Sequence, residues 1–154
     1  MGTKFIFISG APHTGKSTIL KTLHKFLKET KNFKESKKEI IANNEGMFIL
    51  EGYNNKEKPI KILLNYPSDT VDIIDNVYDF YTKNKPFDIV ITSIRDMYSE
   101  RDYLLEKFSI TEDYIELPLA KVTRKNDKKL ACNNYYKRVL NLLKHILSLS
   151  PYNL

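Results

Sequence analysis

The feature that most constrains this chain is the octapeptide at residues 10–17, Gly-Ala-Pro-His-Thr-Gly-Lys-Ser. It satisfies the pattern G-x-x-x-x-G-K-[ST] at every fixed position. A short apolar run at residues 4–9 precedes it and is typical of a buried strand. Residues 17–30 follow with apolar side chains at helical spacing, which predicts a helix. A strand, a glycine-containing loop and a helix in that order form the context that this pattern requires.

This octapeptide, called the glycine loop below, resembles the P-loop (Walker A motif) of nucleoside-triphosphate-binding proteins. Gly10 and Gly15 allow torsions and close approaches that a Cβ would block, so the N–H groups of the loop can converge on phosphate oxygens. Lys16 would reach the β- and γ-phosphates, and the Ser17 hydroxyl would bind Mg²⁺. The predicted nucleotide contacts here are Gly10, Ala11, Pro12, His13, Thr14, Gly15, Lys16, Ser17 and Thr18.

Length and composition predict one nucleotide-binding domain over residues 1–154, with 42% apolar and 29% charged residues. No apolar run is long enough for a membrane span, and the first strand begins too early for us to expect a signal peptide. The single cysteine, Cys132, cannot form an internal disulfide. A reducing, cytoplasmic location is therefore expected.

The net charge of +6 raises nucleic acid as an alternative partner. The excess is mostly lysine and is concentrated at residues 21–38 and 121–129. Solvated helix faces and attraction to the phosphates of a nucleotide account for it, so we do not favour a nucleic-acid partner.

Two apolar runs near the middle of the chain predict a hairpin. Residues 31–45 are polar and rich in lysine, which predicts a surface connection, and residues 47–51 and 60–66 then predict strands. The connection at residues 52–59 is too short for the crossover that a parallel pair needs. The two strands are therefore expected to be antiparallel.

The hairpin decides which acidic residue can reach a nucleotide. If strand 60–66 is parallel to the first strand, Asp69 follows it at the ligand edge, whereas Glu51 lies at the opposite edge. Asp69 is therefore the predicted second acid, which holds Mg²⁺ directly or through water. The alternative is a helix N-cap, a role that Ser68 or Thr70 could fill equally well.

Later elements complete a predicted α/β fold. A helix near residues 70–82 leads to a strand at 87–92, after which Arg95 is a candidate phosphate or substrate contact, with a surface ion pair as the alternative. Arg124, in the basic segment after the last strand, is a candidate nucleotide contact, with a solvated loop as the alternative. The resemblance implies a three-layer P-loop NTPase-like domain. Its sheet would be mostly parallel and five-stranded, with one antiparallel hairpin strand at about 47–51 and helices on both faces.

Beyond the glycine loop, the order of elements resembles a reduced nucleotide-switch domain. The hairpin is similar to the one that precedes the Asp-x-x-Gly turn of small GTPases, but the guanine-reading Asn-Lys-x-Asp signature is missing, because residues 124–127 read Arg-Lys-Asn-Asp. ATP is therefore favoured over GTP. Residues 4–101 also resemble the short bacterial ATP-binding P-loop proteins of unassigned role.

Three hypotheses about function follow from these residues. The first, which we favour, is a magnesium-dependent ATPase or nucleotide-dependent switch in which Lys16, Asp69 and Arg95 act at the phosphates. The second is a small-molecule or nucleotide kinase that transfers the γ-phosphate, although no acceptor pocket or base is identifiable. The third is a nucleotide-binding module that does not hydrolyse its ligand, since no glutamate is placed to activate water. The expected partners are a nucleoside triphosphate and either a protein or a small-molecule acceptor.

Overall fold

Six strands form one sheet in the computed structural model, which describes residues 2–11, 14–121 and 128–154. The elements along the chain are β1 (Lys4–Gly10), α1 (Lys16–Glu29), β2 (Lys34–Ala42), β3 (Glu45–Tyr53), β4 (Pro59–Asn65), α2 (Val71–Asn84), β5 (Ile89–Arg95), α3 (Ser99–Lys107), β6 (Tyr114–Pro118) and α4 (Lys129–Ser148).

The sheet is mixed, with the strand order β2-β3-β4-β5-β1-β6. β1 is parallel to both β5 and β6, and β4 is parallel to β5. β3 is antiparallel to β2 and β4, so among these six strands it alone runs in the opposite direction. The predicted α/β class is confirmed, and β5 separates β4 from β1.

The predicted number of five strands is wrong, because the connection expected at residues 31–45 contains β2. β2 lies at the edge of the sheet, and most of its side chains are exposed. Its lysines and glutamates are typical of a protected edge strand and hide the alternation that a half-buried strand shows. The turn into β3 is Asn43-Asn44, with φ of 50° and 60°, a left-handed pair that suits asparagine in a tight hairpin.

The predicted antiparallel hairpin is confirmed by the register of β3 and β4. Met47 pairs with Asn65, and Glu51 pairs with Lys61. Four residues of strand correspond to roughly 13 Å, so Glu51 lies well away from the carboxyl end of β4.

Helices cover both faces of the sheet, as the alternating side chains of β1 show. Ile6 and Ile8 belong to a buried cluster that contains residues of α1 and α4. Phe7, which points to the other face, packs in a cluster with Ile74 of α2 and Leu104 of α3. The parallel strands therefore lie between two apolar layers, and their carboxyl ends meet at one edge of the sheet.

A buried histidine links α1 to the β2–β3 hairpin. The Nδ1 atom of His24 lies 2.6 Å from the Tyr66 hydroxyl, and its Nε2 atom lies 3.1 Å from the Glu35 carboxylate. The neutral ring with its proton on Nε2 satisfies both contacts, because Tyr66 then donates to Nδ1. Burial lowers the pKa of His24, and this effect outweighs the opposing influence of Glu35.

We expect His24 to make the protein sensitive to mild acid. Because the unfolded chain binds this proton more tightly, the free energy of unfolding should fall as the pH drops below 6.5, the ordinary pKa of histidine, towards the lowered native pKa. Denaturant titrations at pH 7.0 and 5.5 measure the loss. It should be smaller in His24→Gln, while His145→Gln, on the exposed side of α4, should behave like the wild type. An equal loss in all three proteins would contradict the assignment.

Candidate functional site

The carbonyl groups of Gly10 and Ala11 lie beside the side-chain ammonium of Lys16, the first residue of α1. The Lys16 side chain is buried, and its ammonium donates to the carbonyl oxygen of Gly10 at 2.7 Å, with that of Ala11 at 3.5 Å. The Thr14 hydroxyl also donates to the Ala11 carbonyl, at 2.7 Å. Two side chains therefore hold the first residues of the loop, while Pro12 and His13 lie outside the described residues.

Both glycines of the loop lie where a Cβ would come too close to a neighbouring residue. Gly15 has φ of +89°, and a Cβ there would lie 2.7 Å from Cζ of Tyr136 in α4. A Cβ on Gly10 would lie 2.6 Å from the Thr14 hydroxyl and 3.2 Å from the carbonyl oxygen of Leu119. The missing Cβ atoms, which were predicted to let the backbone approach a phosphate, therefore also let the loop pack closely against other residues of the chain.

The amino end of α1 presents its backbone to the same place. Gly15 occupies the N-cap position and, as a glycine, has no side chain that could accept a hydrogen bond from the first N–H groups of the helix. The first turn has no acidic residue. Ser17 and Thr18 lie in this turn, half-buried and exposed respectively. The first N–H groups of a helix have no partner within the helix, and the helix dipole favours an anion beside them.

Three residues predicted separately come together here. Burial lowers the pKa of Lys16, and the charge of Arg95 acts in the same direction. Asp69 and Asp96 oppose this shift, which places both carboxylates within electrostatic reach of the ammonium. Asp96 is an addition to the predicted set, and its signal in the sequence is its place directly after Arg95 at the end of β5.

Arg95 and Asp69 form an ion pair with each other. Arg95 ends β5 and pairs in register with Gly10, and its Nε atom lies 3.5 Å from Oδ1 of Asp69. This Nε atom is buried and makes no hydrogen bond within the described residues. The surface ion pair considered for Arg95 is therefore present, with the other candidate residue as its partner.

Helix capping, the alternative considered for Asp69, is carried out by its neighbour. The Thr70 hydroxyl accepts a hydrogen bond from the backbone N–H of Ile73 at 3.3 Å, and Thr70 is the N-cap of α2. The side chain of Asp69 is 54% exposed and points to Arg95. Arg124, the remaining candidate, lies outside the described residues.

Buried polar side chains fix the connection between β4 and α2, and the sequence analysis missed them. Asn65 donates to the Pro67 carbonyl at 2.6 Å and to the Thr92 hydroxyl at 2.7 Å. The hydroxyls of Ser68 and Ser93 lie 2.9 Å apart. Polar residues at the ends of two apolar strands were the available signal, because buried polar groups need partners.

A second missed cluster joins α3 to the sheet. The Glu116 carboxylate of β6 accepts a hydrogen bond from the Ser9 hydroxyl at 2.9 Å and another from Arg101. Arg101 also donates to the backbone carbonyl of Arg95 at 3.1 Å, and the hydrogen bond to Glu116 raises its pKa. Both carboxylate oxygens are engaged, so this cluster positions the end of β5.

Comparison with known proteins leaves the site to be understood from its own residues. No protein-family model matches the chain, no curated protein is significantly similar to it, and no solved structure matches it significantly. Within the described residues, no helix is long and apolar enough to cross a membrane. The same residues contain no group of three or more His, Cys, Asp or Glu side chains arranged to hold a metal ion.

The packing of Gly15 makes a direct prediction about stability. Gly15→Ala should lower the free energy of unfolding by at least about 1 kcal/mol, because it forces a left-handed torsion on a residue with a Cβ. The new methyl group also meets Tyr136, and Gly15→Ala combined with Tyr136→Leu should show a smaller loss than the sum of the two single variants. Denaturant unfolding measures each variant.

Gly2→Ala is the matched control for this substitution, since a Cβ on Gly2 meets nothing within 4 Å. It should leave the free energy of unfolding unchanged to within about 0.5 kcal/mol. A Gly15→Ala variant as stable as this control would show that the loop does not need glycine at this position.

Proposed function

We propose that this chain binds ATP in the glycine loop with Mg²⁺ and acts as an ATPase or nucleotide-dependent switch. The domain would then be a three-layer P-loop NTPase-like fold. The observation that carries the proposal is the buried Lys16 ammonium, held at the carboxyl end of β1 beside the amino end of α1. A buried cation next to the first N–H groups of a helix, which have no partner within that helix, suits a phosphate chain better than a neutral ligand.

The two cations Lys16 and Arg95 support binding of a polyanion. Burial lowers the pKa of Lys16 and Arg95 lowers it further, while the carboxylates of Asp69 and Asp96 raise it and so compensate part of the positive charge in the unliganded fold. The buried Nε atom of Arg95 makes no hydrogen bond within the described residues, and the Oδ1 atom of Asp69 lies 3.5 Å from it. A phosphate oxygen between the two groups would stabilise both, because hydrogen bonds to an anion are roughly twice as strong as neutral ones.

Ser17 and Asp69 are the residues that would hold Mg²⁺. Magnesium in phosphoryl-transfer sites keeps several waters and takes one or two carboxylates together with the substrate phosphates. One hydroxyl and one half-exposed carboxylate therefore suffice on the protein side, and a cluster of several acids is not needed. In this arrangement Asp69 would exchange part of its contact with Arg95 for the metal.

The position of Asp69 favours a switch or an ATPase over a kinase. Asp69 directly precedes Thr70, the N-cap of α2, so a shift of its carboxylate towards a metal would act on that helix. Coupling of this kind is how γ-phosphate contacts order or release a segment. A kinase would in addition need a catalytic base and a bound acceptor beside the γ-phosphate. Transfer of the γ-phosphate to an added acceptor is the result that would favour the kinase alternative.

Lys16→Ala should abolish the effect of ATP on thermal stability. In the wild type, ATP and Mg²⁺ at 100 times Kd should raise the free energy of unfolding by about 2.7 kcal/mol, which raises the melting temperature. Removal of the ammonium deletes its contact with the phosphates, so the variant should show no ATP-dependent rise and no phosphate release. Melting curves with and without ATP and an assay of released phosphate provide the measurements.

The same phosphate assay, run beside an assay of ADP, separates the alternatives. ADP and inorganic phosphate formed from ATP alone indicate an ATPase, whereas ADP formed without inorganic phosphate, and only when a pool of nucleosides and metabolites is added, indicates transfer by a kinase. Binding without either reaction indicates a non-hydrolysing module. An undiminished ATP-induced rise in the melting temperature of Lys16→Ala would overturn the proposal itself.

Asp69→Asn should remove much of the dependence of nucleotide affinity on Mg²⁺, since the amide is a weaker magnesium ligand. Glu51→Gln is the matched control, because it makes the same chemical change on an exposed strand residue at the other end of the hairpin. Affinities measured by calorimetry with Mg²⁺ and with a chelator should show a reduced magnesium effect only for Asp69→Asn. An equal change of the magnesium effect in both variants would show that Asp69 does not hold the metal.

A further inference from the structure

A cleft of about 400 Å³ lies on the α1 face of the sheet, beside the β2–β3 hairpin, and the nucleotide proposal does not use it. Its lining includes three lysines of α1, Lys21, Lys25 and Lys28, and three aromatic rings, His24, Phe48 and Tyr66. α1 packs mainly over β1, β4 and β5, so the outer strands β2 and β3 extend beyond it and leave this space. The volume is in the range of small-molecule sites.

Three aromatic rings form the floor of the cleft. The ring of Phe48 lies 4.6 Å from that of His24 and 5.0 Å from that of Tyr66, measured between centroids. The hydrogen bond from Tyr66 to His24 and the contact of His24 with Glu35 hold these rings in place. The floor is therefore preformed, which reduces the entropy lost when a ligand binds.

Three lysines form one wall of the cleft. Lys21, Lys25 and Lys28 occupy positions i, i+4 and i+7 of α1 and so lie on one side of the helix. The Lys21 ammonium lies 3.9 Å from the Glu45 carboxylate, and the Lys28 ammonium lies 3.5 Å from the Glu35 carboxylate. Both lysine side chains are about half exposed. Exposed pairs at such distances are weak, so these ammonium groups can turn to a ligand at little cost.

Lys25, between the other two lysines, has no ion-pair partner within residues 2–11, 14–121 and 128–154. Asn44, in the turn between β2 and β3, also lines the cleft. Glu29 is the one acidic residue of the lining. Glu35 and Glu45 lie beside the cleft as the partners of Lys28 and Lys21, so Lys25 is the lysine of the wall whose charge is not already engaged in an ion pair among the described residues, while the floor is aromatic.

We propose that this cleft is a second ligand site, which takes a small aromatic molecule that carries a phosphate or carboxylate group. The ring would rest against the edges of Phe48 and Tyr66, and the anionic group would be held by Lys21 and Lys25. A simple anion would use only the lysines, and a neutral ring only the floor. The site is independent of the glycine loop, so it stands whether or not ATP binds there.

Phenyl phosphate is a suitable probe, with phenol and inorganic phosphate as its separated halves. The imidazole C–H signals of His24, one of three histidines in the chain, report on the cleft by NMR and are assigned with His24→Gln. Phenyl phosphate should shift these signals and bind at least tenfold more tightly than either half. The same titration on Lys16→Ala should give an affinity within twofold of the wild type, which separates this cleft from the loop.

Lys25→Glu should weaken the binding of phenyl phosphate at least tenfold, because it reverses the charge of a lysine in the wall. Lys83→Glu makes the same change in net charge on an exposed residue of α2, which covers the other face, and should leave the affinity within twofold. The proposal is overturned by unmoved His24 signals, by equal binding of inorganic phosphate, by loss of binding in Lys16→Ala, or by equal losses in the two charge variants.

Discussion

The contact between the Lys16 ammonium and the Gly10 carbonyl is the interaction around which this end of the molecule is arranged. A buried ammonium must have acceptors, and the loop supplies them from its own backbone. Gly10 packs beside Leu119, the residue after β6, and Gly15 packs beside Tyr136 in the first half of α4, so the loop contacts both elements. The constraint therefore extends from the first strand to the last helix.

Parallel strands explain how distant residues reach this place. Gly10 and Arg95 are neighbours across β1 and β5, although 85 positions separate them in the chain. β4 lies one strand further away, roughly 10 Å from β1 at the usual strand spacing. The connection after β4 brings Asp69 back to Arg95, and the hydrogen bonds of Asn65 and Ser68 fix its path.

Those features of the fold and of the candidate site that depend on short stretches of sequence could be predicted from it. The loop, the antiparallel hairpin and the positions of Asp69 and Arg95 at one edge follow from short motifs and from the directions of the strands. β2 was missed because an edge strand rich in lysine has no alternation to recognise, although Asn43-Asn44 signalled its turn. The partners of Glu116 were missed because side-chain pairing between distant elements depends on the packed fold.

Unfavourable local energies are concentrated at the same edge of the sheet. Arg95 buries its Nε atom without a hydrogen bond among the described residues, and the long contact with the Asp69 carboxylate offsets only part of the cost of removing it from water. Three residues later, Tyr98 adopts φ of 85° and ψ of 164°, a conformation that is normally restricted to glycine. Lys16 is desolvated beside them. An anion bound between Lys16 and Arg95 would offset the costs at these two side chains, although not the backbone conformation of Tyr98, so the desolvated cations of the unliganded fold lie at the place that the proposed ligand would occupy.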